Sequence, residues 1–234
     1  MVKALISLLE KTEGLTRRIK KNLKIKTDTQ FQLLEKWYKD DPHNIKKSTF
    51  SHLSEKSIVF DLGGYEGQWT SDIYSRYNCN IFVFEPVSAY ANLIKDRFIQ
   101  NSKIHVFDYG LASSAQKVPI SVDEFASSIV NSKIKSKNTE IIELIDFKEF
   151  MVQHQIDSID LIKINIEGAE YDLLEYLLNK NIINNIQILL IQFHNFSKDA
   201  HIKMKRIQER MAVTHQQVYD YPFVWNCWQK RNLQ

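Results

Sequence analysis

Two periodicities divide the chain. From residue 57 onward, short apolar runs rich in β-branched and aromatic residues alternate with stretches of helical spacing. SIVFDL (57–62) reads as a first strand, QWTSDIYSRY (68–77) as a helix and NIFVFEP (80–86) as a second strand closed by Pro86. VSAYANLIKDRFI (87–99) has helical spacing, and KIHVFDY (103–109) reads as a third strand. Residues 110–140 are read as loop-rich, followed by IIELID and a helical DFKEFMVQH. SIDLIKINIEG (158–168) is a fourth strand, AEYDLLEYLLNK a helix, NIQILLIQFH (185–194) a fifth strand and KDAHIKMKRIQERM an amphipathic helix. The aromatic tail VTHQQVYDYPFVWNCW reads as closing strands with buried rings. This alternation predicts an α/β domain over 57–234, a mostly parallel sheet with helices on both faces.

Residues 1–56 differ. Phe31, Leu33, Leu34, Trp37 and Tyr38 have helical spacing, ended by Asp40-Asp41-Pro42. The segment is read as an N-terminal helical extension capping the domain. Its run RRIKKNLKIK (17–26) gives a basic face that is solvated or suited to peripheral contact with an anionic membrane surface. The opening MVKALISLLEKTEGL places Glu10 and Glu13 too early for a secretory signal.

Composition narrows the classes. The chain has 234 residues, 44% of them hydrophobic, which rules out whole-chain disorder. A net charge of +3 is too mild to predict a nucleic-acid partner. Cys79 and Cys227 form no paired motif, and no His, Cys or carboxylate spacing matches a metal site. The expected location is cytoplasmic, with at most a peripheral hold on the membrane.

Chemistry concentrates at the strand ends. The first strand runs into Asp61-Leu62-Gly63-Gly64-Tyr65-Glu66-Gly67. The glycines let the backbone turn tightly and approach a ligand closely. A dinucleotide site wants G-x-G-x-x-G and a helix end free for a pyrophosphate. Here Asp61 precedes the loop; it would repel a pyrophosphate but could accept hydrogen bonds from a cationic amino acid group. Glu85 ends the second strand, where an acid can take both hydroxyls of a ribose. The two acids favour S-adenosyl-L-methionine over NAD. Asp108 or Tyr109, after the third strand, is expected near the adenine.

DLGGYEGQW, VFEP and LIKINIEGAEYDLLEYL together resemble the FkbM family of methyltransferases over roughly residues 57–195. The resemblance implies a Rossmann-like class I fold and methyl transfer to oxygen, with hydroxyls of sugars or natural products as typical acceptors. A surface polysaccharide or glycolipid is the expected sugar. The family hallmark after the fourth strand is a K-I-D-x-E-G-A-E-like run, and this chain has Asn165 in place of the Asp. Gln192 stands where the family often has an acid. QFHNF and THxxxYxYPFVWxxW resemble a subset of the family.

Asn165 and Glu167 share a strand face with Lys163, and Glu167 can alternatively cap the helix that follows. They are expected at the floor of the acceptor pocket, orienting a hydroxyl. His194, at the end of the fifth strand, is expected to take the hydroxyl proton. The acceptor would be a small molecule or glycan. Two other readings stay open: a binding or assembly module that keeps the fold without catalysis, and a nicotinamide-dependent sugar oxidoreductase.

Overall fold

A computed structural model describes residues 28–123, 126–129 and 139–231. The basic run 17–26 and the opening segment lie outside them. The chain divides between Asn44 and Ile45 into two units. The described part of the first is helix α1 (Thr29–Asp40). Asp28 caps it, its carboxylate accepting the Phe31 N–H at 3.1 Å.

Residues 45–56 belong to the second unit, so the boundary falls earlier than residue 56. Phe50 and Leu53 are buried there. The Phe50 N–H donates to Tyr77 Oη at 2.6 Å, and Trp69 Nε1 donates to the Lys47 carbonyl at 2.7 Å. Sequence pattern missed this because the segment makes turns, with no period of its own.

The second unit contains β1 (Ile58–Leu62), α2 (Gln68–Tyr77), β2 (Asn80–Phe84), α3 (Ser88–Arg97) and β3 (Ile104–Phe107). After an insertion come α4 (Phe147–Gln153), β8 (Ile159–Ile164), α5 (Glu170–Asn179), β9 (Ile186–Ile191) and α6 (Ala200–Met211). A hairpin of β10 (His215–Tyr221) and β11 (Trp225–Lys230) follows. The seven strands form one sheet in the order β10-β11-β9-β8-β1-β2-β3. The five strands from β9 to β3 are parallel, and β11 lies antiparallel between β9 and β10.

Central strands read as unbroken apolar runs because both faces are covered. Phe60, Leu62, Phe84, Ile162, Ile164, Leu189 and Ile191 join a core with Phe147, Phe150, Leu173, Leu174, Met204 and Ile207 from α4, α5 and α6. Val59, Val83 and Leu161, of the opposite parity, are equally buried on the other face. Trp225 and Trp228 are buried in the closing hairpin, as the tail's pattern predicts.

The stretch read as loops is instead largely sheet. It contains β4 (Gly110–Ala112), β5 (Gln116–Asp123), β6 (Ala126–Ile129) and β7 (Thr139–Asp146), in the order β4-β7-β5-β6. Gln, Lys and Ser dilute the apolar signal of β5, and Pro119 argues against a strand by removing a ladder donor. Alternation on β7 still packs Ile142 and Leu144 with Ile120 and Val87.

The chain builds outward from β1 to β2 and β3, then returns to β8 on the other flank of β1. The switch in strand order therefore falls between β1 and β8, and ligands in such sheets bind beyond the carboxyl ends of the strands there.

Candidate active site

Gly63 opens the loop beyond β1 with φ +81°, and a side-chain carbon there would lie 2.0 Å from the Asn165 carbonyl oxygen. Only glycine fits, because the two strand ends meet at backbone distance. At Gly64 the same addition would come within 2.5 Å of Val83 Cγ1. Gly67, with φ +74°, turns the chain into α2. Of these three glycines, Gly63 lines the cavity beyond the strands, while Gly64 and Gly67 shape the loop from behind.

Asp61 does not face that cavity. It is fully buried, with Oδ1 2.6 Å from Lys163 Nζ and Oδ2 accepting the Thr70 hydroxyl at 2.6 Å. Lys163 also donates to the Gly63 carbonyl at 2.8 Å. Asp61 and Lys163 are register partners on β1 and β8, so one ion pair ties the strands together and pins the loop. The structure does not bring Asp61 to the cavity expected to hold a ligand's amino group, since its side chain is fully buried behind the wall. Lys163 leaves the face predicted for it beside Asn165 and Glu167. The available signal was a lysine inside an otherwise apolar central strand, which needs a buried partner.

Glu85 does line the cavity. Its Oε2 accepts the Tyr65 N–H at 2.8 Å and its Oε1 the Val87 N–H at 3.0 Å. Burial pushes its carboxyl up to about 7, against the opposing pull of those two donors. Asp108 and Tyr109 are not on the cavity wall. Asp108 is exposed and pairs with Lys95 at 2.9 Å, while the Tyr109 ring packs 5.3 Å from Phe107. Gly110, Leu111 and Ala112 stand there instead, because the chain enters β4 before reaching the cavity. Facing them are Pro86, Val87, Tyr90, Ile120, Ile142 and Leu144, an apolar cleft suited to a flat heterocycle. The insertion supplies half of that cleft, and Ser88 fastens it by donating from its hydroxyl to Glu140 at 2.5 Å.

The other end of the cavity is polar. Asn165 follows β8, and its Oδ1 is buried without a hydrogen-bond partner. Glu167 takes φ +50° and Gly168 φ +102°, so the turn into α5 doubles back sharply. Glu170, fully buried, holds this turn. Its Oε2 accepts the Gly168 N–H at 2.7 Å, and its Oε1 accepts the His194 N–H at 2.7 Å and lies 3.2 Å from Nδ1. His194 Nε2 lies 3.4 Å from Glu167 Oε1. The second Glu of the E-G-A-E run thus carries a role that sequence alone left without one.

Burial alone would lower the His194 pKa, but hydrogen bonds to Glu167 and Glu170 outweigh it and raise the value to about 9. Both carboxylates thus favour the protonated ring, which weighs against His194 as the group that takes the hydroxyl proton. Phe196 stacks on its ring with centroids 5.1 Å apart and remains 58% exposed. Gln192 does not reach the cavity, and neither do Tyr221, Trp225 or Trp228.

Both ends open into one cavity of about 610 Å³. Among the described residues, no group of three or more His, Cys, Asp or Glu side chains could hold a metal ion. No described helix is long and apolar enough to cross a membrane.

A family model described as "Methyltransferase FkbM domain" matches residues 61–221. No curated protein sequence matches the chain. Among solved structures, an rRNA methylase from Streptococcus thermophilus is 12% identical, with 76% of this chain and 89% of that one covered at a TM-score of 0.46. Precorrin-6y C5,15-methyltransferase from Geobacter metallireducens is 9% identical, covering 80% and 85% at a TM-score of 0.43. A fibrillarin pre-rRNA processing protein from Methanococcus jannaschii is 13% identical, covering 78% and 70% at a TM-score of 0.45.

Proposed function

This chain belongs to the FkbM methyltransferase family, and from that premise we propose that it moves a methyl group from S-adenosyl-L-methionine to a hydroxyl. The acceptor we assign is a sugar of a surface polysaccharide or glycolipid. The observation that carries the reading is the single cavity joining Glu85 and an apolar cleft at one end to Asn165, Glu167 and His194 at the other.

The residues present fit the cofactor. Glu85 offers a buried carboxylate to a ribose diol, the cleft between Val87 and Leu111 suits adenine, and Gly63 admits close backbone approach. When bound, the cofactor supplies a methyl carbon activated by sulfonium, and transfer is an in-line displacement governed by alignment.

Glu167 faces the cavity, with His194 at its back holding it in place. Its carboxylate is the group placed to hold the acceptor hydroxyl and receive its proton as the new carbon–oxygen bond forms. Phe196, exposed and lining the same cavity, gives a flat apolar surface of the kind that sugar rings stack against.

Calorimetry on the full chain with S-adenosylmethionine, S-adenosylhomocysteine and NAD tests the assignment. Binding of the first two without NAD is expected. Binding of NAD alone would replace the reading with an oxidoreductase, and binding of none would leave a non-catalytic module.

A further inference from the structure

Glu170 opens α5, is fully buried and does not line the cavity. Burying an acid is costly unless its oxygens find donors, and here they come from two loops. Oε2 accepts the Gly168 N–H after β8, and Oε1 accepts the His194 N–H after β9. The same Oε1 also meets the His194 ring at Nδ1, 3.2 Å away. On the proposed methyltransferase reading, we infer that Glu170 is a positioning residue for the transfer, acting through His194 to hold the Glu167 carboxylate toward the acceptor.

The ring is gripped at both nitrogens. Nδ1 faces Glu170 behind the cavity wall, and Nε2 lies 3.4 Å from Glu167 Oε1. Fixing one nitrogen of an imidazole fixes where the other points. Phe196 stacks on the ring, with centroids 5.1 Å apart, and limits its swing.

Glu167 needs such a hold. It sits at φ +50° beside Gly168 at φ +102°, in a turn outside any strand or helix. Among the described residues, His194 is the side chain that its carboxylate meets. A group that must reach a hydroxyl in the reacting geometry loses much of its effect when its direction is free. Glu170 fixes the pair from both sides, through the backbone next to Glu167 and through the ring that faces it. A brace between the two loops would need only the two backbone contacts. The third, to Nδ1, is the one that reaches Glu167.

The ring itself reports this chain of contacts. In the full chain with isotope-labelled histidine, NMR follows the His194 titration midpoint, and His194→Gln assigns the signal. Glu170→Gln is expected to lower that midpoint by about one pH unit or more, and so is Glu167→Gln in the parent. In the Glu170→Gln background, Glu167→Gln should shift it by less than about half as much, because an unaimed ring no longer meets Glu167. Glu170→Asp keeps the acid but retracts it by one methylene; it should show the same loss of coupling and serves where the glutamine variant does not fold. Equal shifts from Glu167→Gln in both backgrounds would make the two carboxylates independent and overturn the positioning role. An unmoved midpoint in Glu170→Gln would do the same. S-adenosylhomocysteine affinity in Glu170→Gln, read by calorimetry, should stay within about twofold of the parent. A loss of about tenfold or more would mean that Glu170 shapes the cofactor end instead, against the proposal. A parent chain that does not bind S-adenosylhomocysteine would remove the methyltransferase reading, and this role with it, whatever the ring shows.

Discussion

Glu85 meets a ribose only as a carboxylate, since both hydroxyls are donors, yet burial holds its carboxyl near 7. Cofactor affinity should therefore fall as the pH drops through neutrality. Between pH 8 and pH 6 the ionised fraction drops to about one tenth, so S-adenosylhomocysteine should bind about tenfold more weakly at pH 6. A flat calorimetric profile over that interval would mean that Glu85 does not hold the ribose. His194 shows the opposite sign. Its pKa rises from 6.5 in the open chain to about 9 in the fold. It therefore contributes stability that is fully present below 6.5 and lost as pH rises through 9. At about 1.4 kcal/mol per pH unit, that share is on the order of 3 kcal/mol. The melting temperature of the parent should fall between pH 7 and pH 10 more steeply than that of His194→Gln. Parallel slopes would show that the two carboxylates do not hold the imidazolium.

At the level of elements, the loop after β1 depends on backbone contact with the end of β8. Gly63→Ala places a carbon 2.0 Å from the Asn165 carbonyl at φ +81°. This should destabilise the fold by on the order of 3 kcal/mol or more and abolish S-adenosylhomocysteine binding. Gly67→Ala also carries a positive φ, but its nearest neighbour is the edge of the Phe98 ring at 3.0 Å, which can yield. Thermal melts should rank Gly63→Ala well below Gly67→Ala; the reverse order would mean that the strand ends do not meet so closely. Of the residues read from sequence as cofactor-binding, Gly63 and Glu85 line the cavity and Gly67 does not; the first two could be placed because a strand end is a local feature. The five parallel strands and the closing hairpin were legible for the same reason, each having its own uninterrupted period. The insertion was not, because Pro119 and the polar residues of β5 mask an alternation that only becomes visible once Ile120, Ile142 and Leu144 are seen packing together.

Over the whole molecule, the residues misread from sequence are those whose partners lie far along the chain. Asp61 looks like a ligand-facing acid until Lys163, 102 residues later, is found on it. His194 looks like a base until Glu170, 24 residues earlier, is found beneath it. Asp108 looks well placed for adenine until the insertion carries the chain past it into β4. In each case local chemistry names the residue type needed at a strand end, but the partner that sets its charge or direction arrives only with the fold.

The position of β8 beside β1 also governs the order in which this molecule can be made. During synthesis, β1 emerges with β2 and β3, but its other flank stays bare until residue 159 has followed. β9 in turn presents an open hydrogen-bonding edge until the strand at 225–230 slides in antiparallel against it. A ribosome extending the chain thus holds, for much of its length, a half-sheet with apolar faces and unpaired edges, the state most open to aggregation and to chaperones. The cavity closes only with the return to β8, so a ligand bound there can stabilise the finished protein but cannot guide its early folding.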